Sequence, residues 1–237
     1  MNVGIGPLRT GIFNVADMAI MLGVALTASA PVRIFLAGAG GAVGRPLCRL
    51  LIADGHHVVG TTRSADKAAM LSAMGVEAVI VDVFDAAALS RAVVQARPDV
   101  VIHQLTDLPP ALDPALMPAA LIRNARIRDE GTRNLVAAAV EAGATRMIAQ
   151  SIAFSVTAAL LAFERQVLDA PLDGIILRYG KFYGPGTGFD APSATPPTVH
   201  VDAAADAARH AVTHLAPGRY AVTDQDGTFA CQQDFGR

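Results

Sequence analysis

The 237-residue sequence has only two cysteines, few charged side chains and almost no net charge. Cys48 and Cys231 cannot form a disulfide framework, so a reducing compartment is the simplest environment. Charged residues make up 17% of the chain and hydrophobic residues 52%, the reverse of what a disordered chain shows. Nineteen basic and 21 acidic side chains give a net charge of -2, which argues against a general nucleic-acid binder.

Residues 1–31 are predicted to be an N-terminal extension. An apolar stretch from Met18 to Ala30 resembles a signal-peptide core, and its last three residues resemble a cleavage site. Asp17 directly precedes the stretch, however, and the stretch is shorter than the roughly 20 apolar residues that cross a bilayer. We therefore favour an extension from an upstream start codon over secretion, and we expect a cytoplasmic protein that does not bind membranes.

From Val32 onward, short apolar runs alternate with longer segments of helical periodicity. The runs are rich in Val and Ile, which is typical of strands covered by helices on both faces. This strict alternation predicts the α/β class, with a doubly wound parallel sheet of the Rossmann type. The predicted strands are Val32–Ala37, His57–Thr61, Glu77–Val81, Asp99–His103, Arg146–Gln150 and Asp173–Arg178.

The segments between these strands are predicted to be helical. The helices are expected at Ala42–Asp54, Ala65–Met74, Ala86–Ala96 and Thr157–Leu168, with one long helix that ends at about Ala142. The Rossmann domain would cover residues 32–179, and a small substrate-binding region over 180–237 would pack on the same domain. The polar tail from Gly227 to Arg237 is expected to be loose.

A glycine-rich loop joins the first predicted strand to the first predicted helix. Gly38, Gly41 and Gly44 are each three residues apart. Glycine permits the tight turn, the close approach of the backbone to a pyrophosphate and the close packing of helix on strand. The helix N-terminus would offer free N–H groups to the phosphates. The loop therefore predicts a dinucleotide site at Gly38, Gly41, Ala42, Val43 and Gly44.

The end of the second strand favours NADP over NAD as the cofactor, although NAD is not ruled out. An Asp or Glu there would bind the ribose 2′-OH of NAD, whereas this sequence has Arg63 and no acid. The guanidinium of Arg63 could pair with a 2′-phosphate, and Thr62 and Ser64 could add hydroxyl donors. Arg45 is a second candidate for a phosphate contact, and a solvated loop charge is the alternative role of Arg63.

Further candidates follow the third and fourth strands. Asp82 could accept a hydrogen bond from the adenine amino group or cap the next helix, although Asp85 is better placed for the cap. Val83 follows Asp82 directly and belongs to the same predicted site. His103 ends the fourth strand, where the cofactor ribose would pass. A half-buried ring that is hydrogen-bonded only to the backbone is an equally good interpretation. No His or Cys spacing indicates a metal.

The ordered set of motifs resembles the extended and atypical short-chain dehydrogenase/reductase superfamily, in particular its NAD-dependent epimerase/dehydratase-like group, with NmrA-like proteins as neighbours. The resemblance covers about Val32 to Asp224. Besides the glycine loop, it rests on four segments: Gly131–Leu135, Ser151 at the end of the fifth strand, Leu177–Gly186 and Val199–Asp202.

The resemblance implies an NAD(P)-dependent oxidoreductase that transfers hydride between NADP and a small carbonyl, alcohol or sugar-nucleotide-like substrate. It places the catalytic serine at Ser151 and brings Arg178 to the substrate. The superfamily's proton donor is a Tyr four residues before a Lys. The nearby ammonium of the Lys lowers the pKa of the phenol and so favours the tyrosinate that shuttles a proton. No Tyr precedes a Lys by four residues here. Tyr183 could replace the missing acid, and Lys181 is a candidate cofactor contact.

The missing pair keeps a second hypothesis open, that of a non-catalytic NADP(H)-binding redox sensor similar to NmrA-like regulators. The chain also looks shortened after Phe154, and Arg128 stands where many relatives have Asn. The long helix carries further arginines at 123, 126 and 133, which predict a solvated face or, secondly, an anionic-substrate contact or a dimer surface. We expect a small-molecule substrate and no nucleic-acid partner, and a homodimer is compatible with the resemblance.

Overall fold

In the computed structural model of the protein, residues 30–225 and 228–233 are described. The predicted N-terminal extension up to residue 29 lies outside the described residues, as do residues 226–227 and 234–237 of the predicted loose tail. The strands are β1 (Arg33–Ala37), β2 (His57–Thr62), β3 (Glu77–Ile80), β4 (Val100–His103), β5 (Arg146–Ile152), β6 (Asp173–Tyr179), β7 (Lys181–Tyr183), β8 (Thr198–His200), β9 (Gly218–Gln225) and β10 (Thr228–Gln233).

Seven α-helices connect the strands in the described part of the chain. They are α1 (Gly44–Ala53), α2 (Ala65–Ala73), α3 (Ala86–Ala96), α4 (Met117–Arg126), α5 (Thr132–Glu141), α6 (Ala158–Leu168) and α7 (Val201–Thr213). A 3₁₀ turn covers Pro110–Leu112, and a π-helical turn at Ile127–Gly131 joins α4 to α5.

The main sheet has eight strands in the order β3-β2-β1-β4-β5-β6-β9-β10. Seven of these strands are parallel, and only β10 runs antiparallel, along the edge beside β9. β7 and β8 form a separate two-stranded parallel sheet. The order of the first six strands is that of the doubly wound Rossmann fold, so the predicted fold class is confirmed.

Helices cover both faces of the main sheet. On one face, α1, α2 and α7 pack on the sheet through buried side chains such as Leu47, Leu71 and Ala208. On the other face, α3, α5 and α6 do so through buried side chains such as Leu135 and Phe163. Because the central strands are covered on both sides, their sequences read as continuous apolar runs rather than as alternating ones.

Side-chain caps start the helices that follow the strands. Ser64 accepts a hydrogen bond from the backbone N–H of Lys67 at 3.4 Å, and Asp85 accepts one from Ala88 at 2.9 Å. Each cap satisfies a backbone donor of the first helical turn. Asp85 is therefore the N-cap of α3, as its position in the sequence predicts, and this leaves Asp82 for another role.

The long predicted helix is not one regular helix. At Ile127–Gly131 it widens into a π turn, and the Thr132 hydroxyl donates to the carbonyl of Ile127 at 3.3 Å. Gly131 lets this turn lie against Val83, since an added Cβ would lie 3.1 Å from Val83 Cγ1. A π turn adds one residue to a turn of helix and barely alters the helical spacing of the apolar residues. The sequence pattern alone therefore does not indicate it.

The prediction of a loose tail is wrong for Thr228–Gln233. This segment forms β10 and pairs in antiparallel register with Tyr220–Gln225 of β9. Backbone hydrogen bonds hold an edge strand, so its polar sequence does not exclude pairing. The preceding segment, residues 180–217, supplies β7, β8 and α7, and β8 with the start of α7 matches the predicted short strand and helix.

Candidate cofactor and active site

A cleft of about 270 Å³ opens at the carboxyl ends of the first four strands. Its walls are the glycine loop, the residues that end or follow β2, β3 and β4, and Ile127 of the π turn. The strand order reverses between β1 and β4, and open α/β sheets bind their ligands in the crevice at such a point. The cleft therefore has the position expected of a nucleotide site.

The glycine loop forms the floor of this cleft. Gly38 has a φ of +90°, and a Cβ added to it would lie 2.7 Å from the Gln104 carbonyl oxygen. Gly41 donates its backbone N–H to the Gly38 carbonyl at 3.0 Å, and a Cβ on Gly44 would clash with that same carbonyl. Among the described residues no side chain caps α1, and although Arg45 donates its N–H to the Gly41 carbonyl at 3.1 Å, the Gly44 N–H is left for a ligand.

The β2 corner of the cleft carries two cations. Arg63 and Lys67 both line it, and Lys67 also packs over Gly40. Arg63 Nη2 lies 3.6 Å from Asp107 Oδ1, and its side chain is 55% exposed. The other oxygen of Asp107 accepts a hydrogen bond from Arg123 at 3.2 Å. Arg63 can therefore turn towards a phosphate without leaving Asp107 unpaired. Lys67 escaped the sequence analysis because it lies inside a helix, one turn past the strand end.

Two hydroxyl groups complete this corner. Thr62 Oγ1 accepts a hydrogen bond from the backbone N–H of Ser64 at 3.1 Å, and Ser64 Oγ accepts from Lys67. Both side chains line the cleft. A hydroxyl that accepts such a bond keeps its own hydrogen for donation, so both can still donate to an anion.

Asp82 and Val83 form the β3 side of the cleft. Asp82 Oδ1 accepts a hydrogen bond from the backbone N–H of Phe84 at 3.0 Å, which fixes the carboxylate at the strand end. Asn134 on α5 donates its side-chain N–H to the Val83 carbonyl at 2.9 Å. The predicted groove segment of the long helix thus supports the cofactor side of the cleft.

Gln104 is a residue of the cleft that sequence reasoning missed. It follows β4 directly and is only 5% exposed, and neither Oε1 nor Nε2 has a hydrogen-bond partner among the described residues. Leaving a buried polar group unpaired costs about 1–3 kcal/mol, so such a group calls for an explanation. Because Gln104 lines the cleft, a bound nucleotide is the simplest partner. A polar residue directly after a buried strand was the available signal.

Arg45 and His103 lie outside the cleft lining. The Arg45 guanidinium rests against Gly186 in the loop after β7, and its buried Nε has no partner in the described part of the chain. His103 is buried, accepts a hydrogen bond from Leu105 N–H at Nδ1, and bonds Thr132 Oγ1 through Nε2 at 3.0 Å. Burial lowers the pKa of His103 to about 4, so the ring is neutral and braces the long helix.

Ser151 and Arg178 meet in a buried polar cluster around Glu164 of α6. Glu164 accepts hydrogen bonds from Ser151 at 2.7 Å, from Arg178 at 2.8 and 2.7 Å, and from Arg219 at 2.8 Å. Burial raises the pKa of Glu164, but these hydrogen bonds outweigh it and hold the pKa below its ordinary value. The sequence gives no signal for Glu164, since a helical Glu is usually a solvated residue.

Tyr183 and Lys181 belong to β7 and also lie outside the cleft lining. The Tyr183 ring packs edge-on against His200, with centroids 5.1 Å apart. Burial and a hydrogen bond with Asp224 raise the pKa of Tyr183, whereas a proton-shuttling tyrosinate needs a lowered one. Lys181 Nζ donates to the Thr195 carbonyl at 3.0 Å. The cleft lining thus includes the predicted cofactor residues at positions 38, 41, 63, 82 and 83. It includes neither the predicted catalytic residues nor the other predicted cofactor residues, at positions 42, 43, 44, 103 and 181.

Neither a metal cluster nor a membrane-spanning helix is found in the part of the chain that the structure describes. No group of three or more His, Cys, Asp or Glu side chains there could hold a metal ion. No helix there is long and apolar enough to cross a membrane. The cytoplasmic location and the homodimer stay predictions.

Comparison with known proteins identifies the family. A family model described as NAD(P)H-binding matches residues 38–173. The chain belongs to this NAD(P)H-binding family. The 3-diazoavenalumate denitrifying reductase of a Streptomyces species is 36% identical to it, over 84% of this chain and 78% of that protein.

Solved structures share the fold of this NAD(P)H-binding protein. The UDP-glucose 4-epimerase of Thermus thermophilus, in complex with NAD, has a TM-score of 0.66 at 20% identity, over 84% of this chain and 79% of the epimerase. The anaerobillin reductase of Escherichia coli O157:H7 has a TM-score of 0.62 at 23% identity, over 83% of this chain and 99% of the reductase.

These findings confirm the expected NAD(P)-binding family, and the solved structures show that the chain shares the fold of epimerases and reductases. The NAD(P)H-binding protein takes a nicotinamide cofactor and is an oxidoreductase. The alternative of a non-catalytic sensor is not favoured.

Proposed function

We propose that this NAD(P)H-binding protein is an NADPH-dependent reductase of a small organic substrate. The observation that carries the proposal is the cleft itself, in which an uncapped helix N-terminus, two cations and the unpaired amide of Gln104 meet. When bound there, the nicotinamide cofactor supplies hydride.

The choice of NADPH over NADH rests on Arg63 and Lys67. Both line the corner where β2 ends, which is where this fold distinguishes a ribose 2′-OH from a 2′-phosphate. A carboxylate that would accept from a 2′-OH is missing from the sequence there, and a carboxylate would repel a phosphate. The guanidinium of Arg63 offers paired donors to the anion, and Lys67 adds a second positive charge.

The remaining cofactor contacts follow from the strand ends. The glycine loop and the start of α1 would hold the pyrophosphate, and Asp82 would accept from the adenine amino group. Gln104 follows β4 beside the glycine loop, where its backbone N–H donates to the Ala37 carbonyl at 2.9 Å. Its side-chain amide would bind a ribose hydroxyl or a phosphate oxygen between the two halves of the nucleotide.

The proton donor of the superfamily is missing from this chain, which narrows the substrate class. Ser151 donates to Glu164, Tyr183 bonds with Asp224, and the sequence has no Tyr–Lys pair. A substrate that accepts hydride without taking up a proton in the same step suits such a site. Replacement of an arene diazonium group by hydride is of this kind, because the aryl–nitrogen bond breaks, an aryl–hydrogen bond forms and N₂ leaves with the electron pair.

The Streptomyces relative supports this substrate class, since its name states that it is a denitrifying reductase of a diazo compound. We therefore propose an arene diazo compound as the first substrate class to test. Reduction of a carbonyl is the second candidate, and it would need a proton from water.

The cofactor proposal is tested by calorimetric titration of NADPH and NADH into the wild type and Arg63→Ala. Arg63→Ala should weaken NADPH binding about tenfold or more, the loss of a charge-assisted pair, and leave NADH binding unchanged. Arg91→Ala, an exposed arginine on α3, is the matched control and should change neither. Failure of the wild type to bind either nucleotide overturns the proposed function.

The reductase proposal is tested with a benzenediazonium salt and NADPH deuterated at one or the other face of C4. The enzyme should transfer deuterium to the arene from one face only, with release of N₂, because a bound cofactor presents a single face. Reaction in solution without enzyme would use both faces and sets the background. Equal transfer from both faces in the presence of the protein would contradict the proposal.

A further inference from the structure

The arginines of the long helix differ in how their charge is balanced. Arg123 pairs with Asp107 at 3.2 Å, Arg126 with Glu130 at 2.7 Å, and Arg133 with Asp129. All three are exposed, where an ion pair contributes little. Arg128 is the arginine of this helix that is half-buried, and among the described residues it has neither an ion-pair nor a hydrogen-bond partner.

The acids beside Arg128 in the sequence, and the buried acid of the helix that packs on its turn, are already engaged. Asp129 and Glu130, its neighbours in sequence, pair with Arg133 and Arg126 on the exposed side of the helix. Glu164 lies on α6, which packs against the π turn, and it is taken by Arg178, Arg219 and Ser151. Burying a cation without a counter-charge is costly. A protein that buries one in this way usually binds a ligand whose negative charge pairs with it.

The position of Arg128 indicates which ligand. It belongs to the π turn, and Thr132, the residue directly after that turn, bonds His103 at 3.0 Å. His103 ends β4, so Arg128 lies at the carboxyl end of the sheet, on the side of the second nucleotide half, where substrate meets nicotinamide. Turns of this kind are frequent at functional sites because they aim one side chain out of the helical path.

The cofactor phosphates are not the expected partner of Arg128. They belong at the glycine loop and the β2 corner, and that corner has its own cations in Arg63 and Lys67, both of which line the cleft. Arg128 lies outside the lining of that cleft, beyond Ile127.

We propose that Arg128 binds an anionic group of the substrate, a carboxylate or a phosphate, and so makes this NAD(P)H-binding protein selective for anionic substrates. The guanidinium fork matches both groups with two parallel hydrogen bonds. The inference rests on the proposed function, because it needs a substrate beside the nicotinamide.

The first test measures binding of simple ring compounds to the NADPH-saturated protein by calorimetry. Benzoate and phenyl phosphate carry the two anionic groups, and benzamide is the neutral compound of the same ring. The wild type should bind at least one of the anions about tenfold more tightly than benzamide, and the tighter anion identifies the group. Equal binding of anions and amide overturns the proposal.

Two variants locate this preference on the helix. Arg128→Gln should lose the preference for the anion, whereas Arg126→Gln, which removes an exposed and paired arginine from the same helix, should keep it. Loss of the preference in both variants contradicts a specific role of Arg128. NADPH affinity should stay within about twofold in Arg128→Gln, and a tenfold loss would assign Arg128 to the cofactor instead.

Should NADPH fail to bind the wild type, the same titration without NADPH separates the two proposals. A retained preference for the anion supports the role of Arg128, and equal binding of anion and amide overturns it.

The second test uses thermal unfolding of the protein without ligands. An unpaired half-buried charge opposes folding, so Arg128→Met should raise Tm by about 2 °C or more. Benzoate or phenyl phosphate, whichever binds, should raise the Tm of the wild type and not that of Arg128→Met. A Tm lowered by Arg128→Met, relative to Arg126→Met, would show a structural arginine and overturn the proposal.

Discussion

Ser151 donates its hydroxyl hydrogen to Glu164 over 2.7 Å, and both side chains are 0% exposed. The strand-end serine, which the superfamily resemblance assigns to catalysis, is thereby tied to an anion that two arginines also hold. Arg178 and Arg219 reach the same carboxylate from β6 and β9. The cluster thus joins α6 to three strands of the sheet, and we expect its members to act on stability.

Ser151→Ala is therefore expected to destabilise the fold rather than to impair the cofactor site. Loss of a buried hydrogen bond to a charged group should lower the free energy of unfolding by about 1.5–3 kcal/mol, measured by denaturant titration. NADPH affinity should not change. Ser155→Ala, at an exposed serine in the following loop, is the control and should stay within about 0.5 kcal/mol of the wild type. Unchanged stability together with lost turnover would instead identify Ser151 as catalytic.

Removal of the anion at the centre of this cluster should have a pH-dependent effect. The hydrogen bonds that lower the pKa of Glu164 favour the folded state once the unfolded carboxyl, with an ordinary pKa of 4.5, is ionised. That stabilisation is present above pH 4.5 and is lost as the pH falls through the folded pKa. At neutral pH, Glu164→Gln should cost about 3–5 kcal/mol, because it leaves two buried or half-buried arginines without their anion. Denaturant titrations should show this difference from the wild type shrinking below pH 4.5, and a constant difference would contradict the argument.

His103 should make the fold sensitive to mild acid. Its pKa of about 4 in the folded state lies below the ordinary value of 6.5, so the unfolded chain takes up a proton first. The stabilisation from the neutral ring is full above pH 6.5 and falls as the pH drops towards 4. Between pH 7 and pH 5 the wild type should lose about 2 kcal/mol more than His103→Asn, measured by denaturant titration. Equal losses in both proteins would show that His103 is not held neutral.

The glycine loop can be tested by a matched pair of substitutions. Gly38 and Gly55 have φ values of +90° and +81°, but a Cβ would meet the Gln104 carbonyl only at Gly38, while the space at Gly55 is open. Gly55→Ala should cost about 1–2 kcal/mol of stability from backbone strain and leave NADPH binding intact. Gly38→Ala should cost more and abolish NADPH binding, because the turn that faces the pyrophosphate must shift. Equal effects of both on binding would exclude a role of the Gly38 turn.

The cofactor half of the site could be read from the sequence because its signals are local. Gly38 and Arg63 each follow a strand directly and Asp82 comes two residues after one, and parallel strands bring their carboxyl ends to one edge of the sheet. The apolar runs indicate those strands. Asp85 indicates where a helix begins, and Gly55 indicates where one ends.

The partners of the catalytic candidates could not be read in the same way. Glu164 lies 13 residues after Ser151, and Arg219 lies 55 residues after Glu164. Only the packing of α6 on β5 and β6, with β9 paired beside β6, brings these groups together. The same holds for Arg128, whose missing counter-charge becomes apparent only when the ion pairs of its neighbours are known.

Gln104 should show opposite effects on stability and on binding. In the protein without ligand its amide is buried and unpaired, so Gln104→Leu should raise the free energy of unfolding by about 1–3 kcal/mol. The same substitution should weaken NADPH binding about tenfold, because the amide loses its nucleotide partner. Gln166→Leu is the matched control: its Oε1 is also buried and unpaired among the described residues, but it lines a shallow hollow beside α6, away from the cleft. Gln166→Leu should therefore bind NADPH like the wild type, measured by the same titration, and equal weakening in both variants would remove Gln104 from the cofactor site.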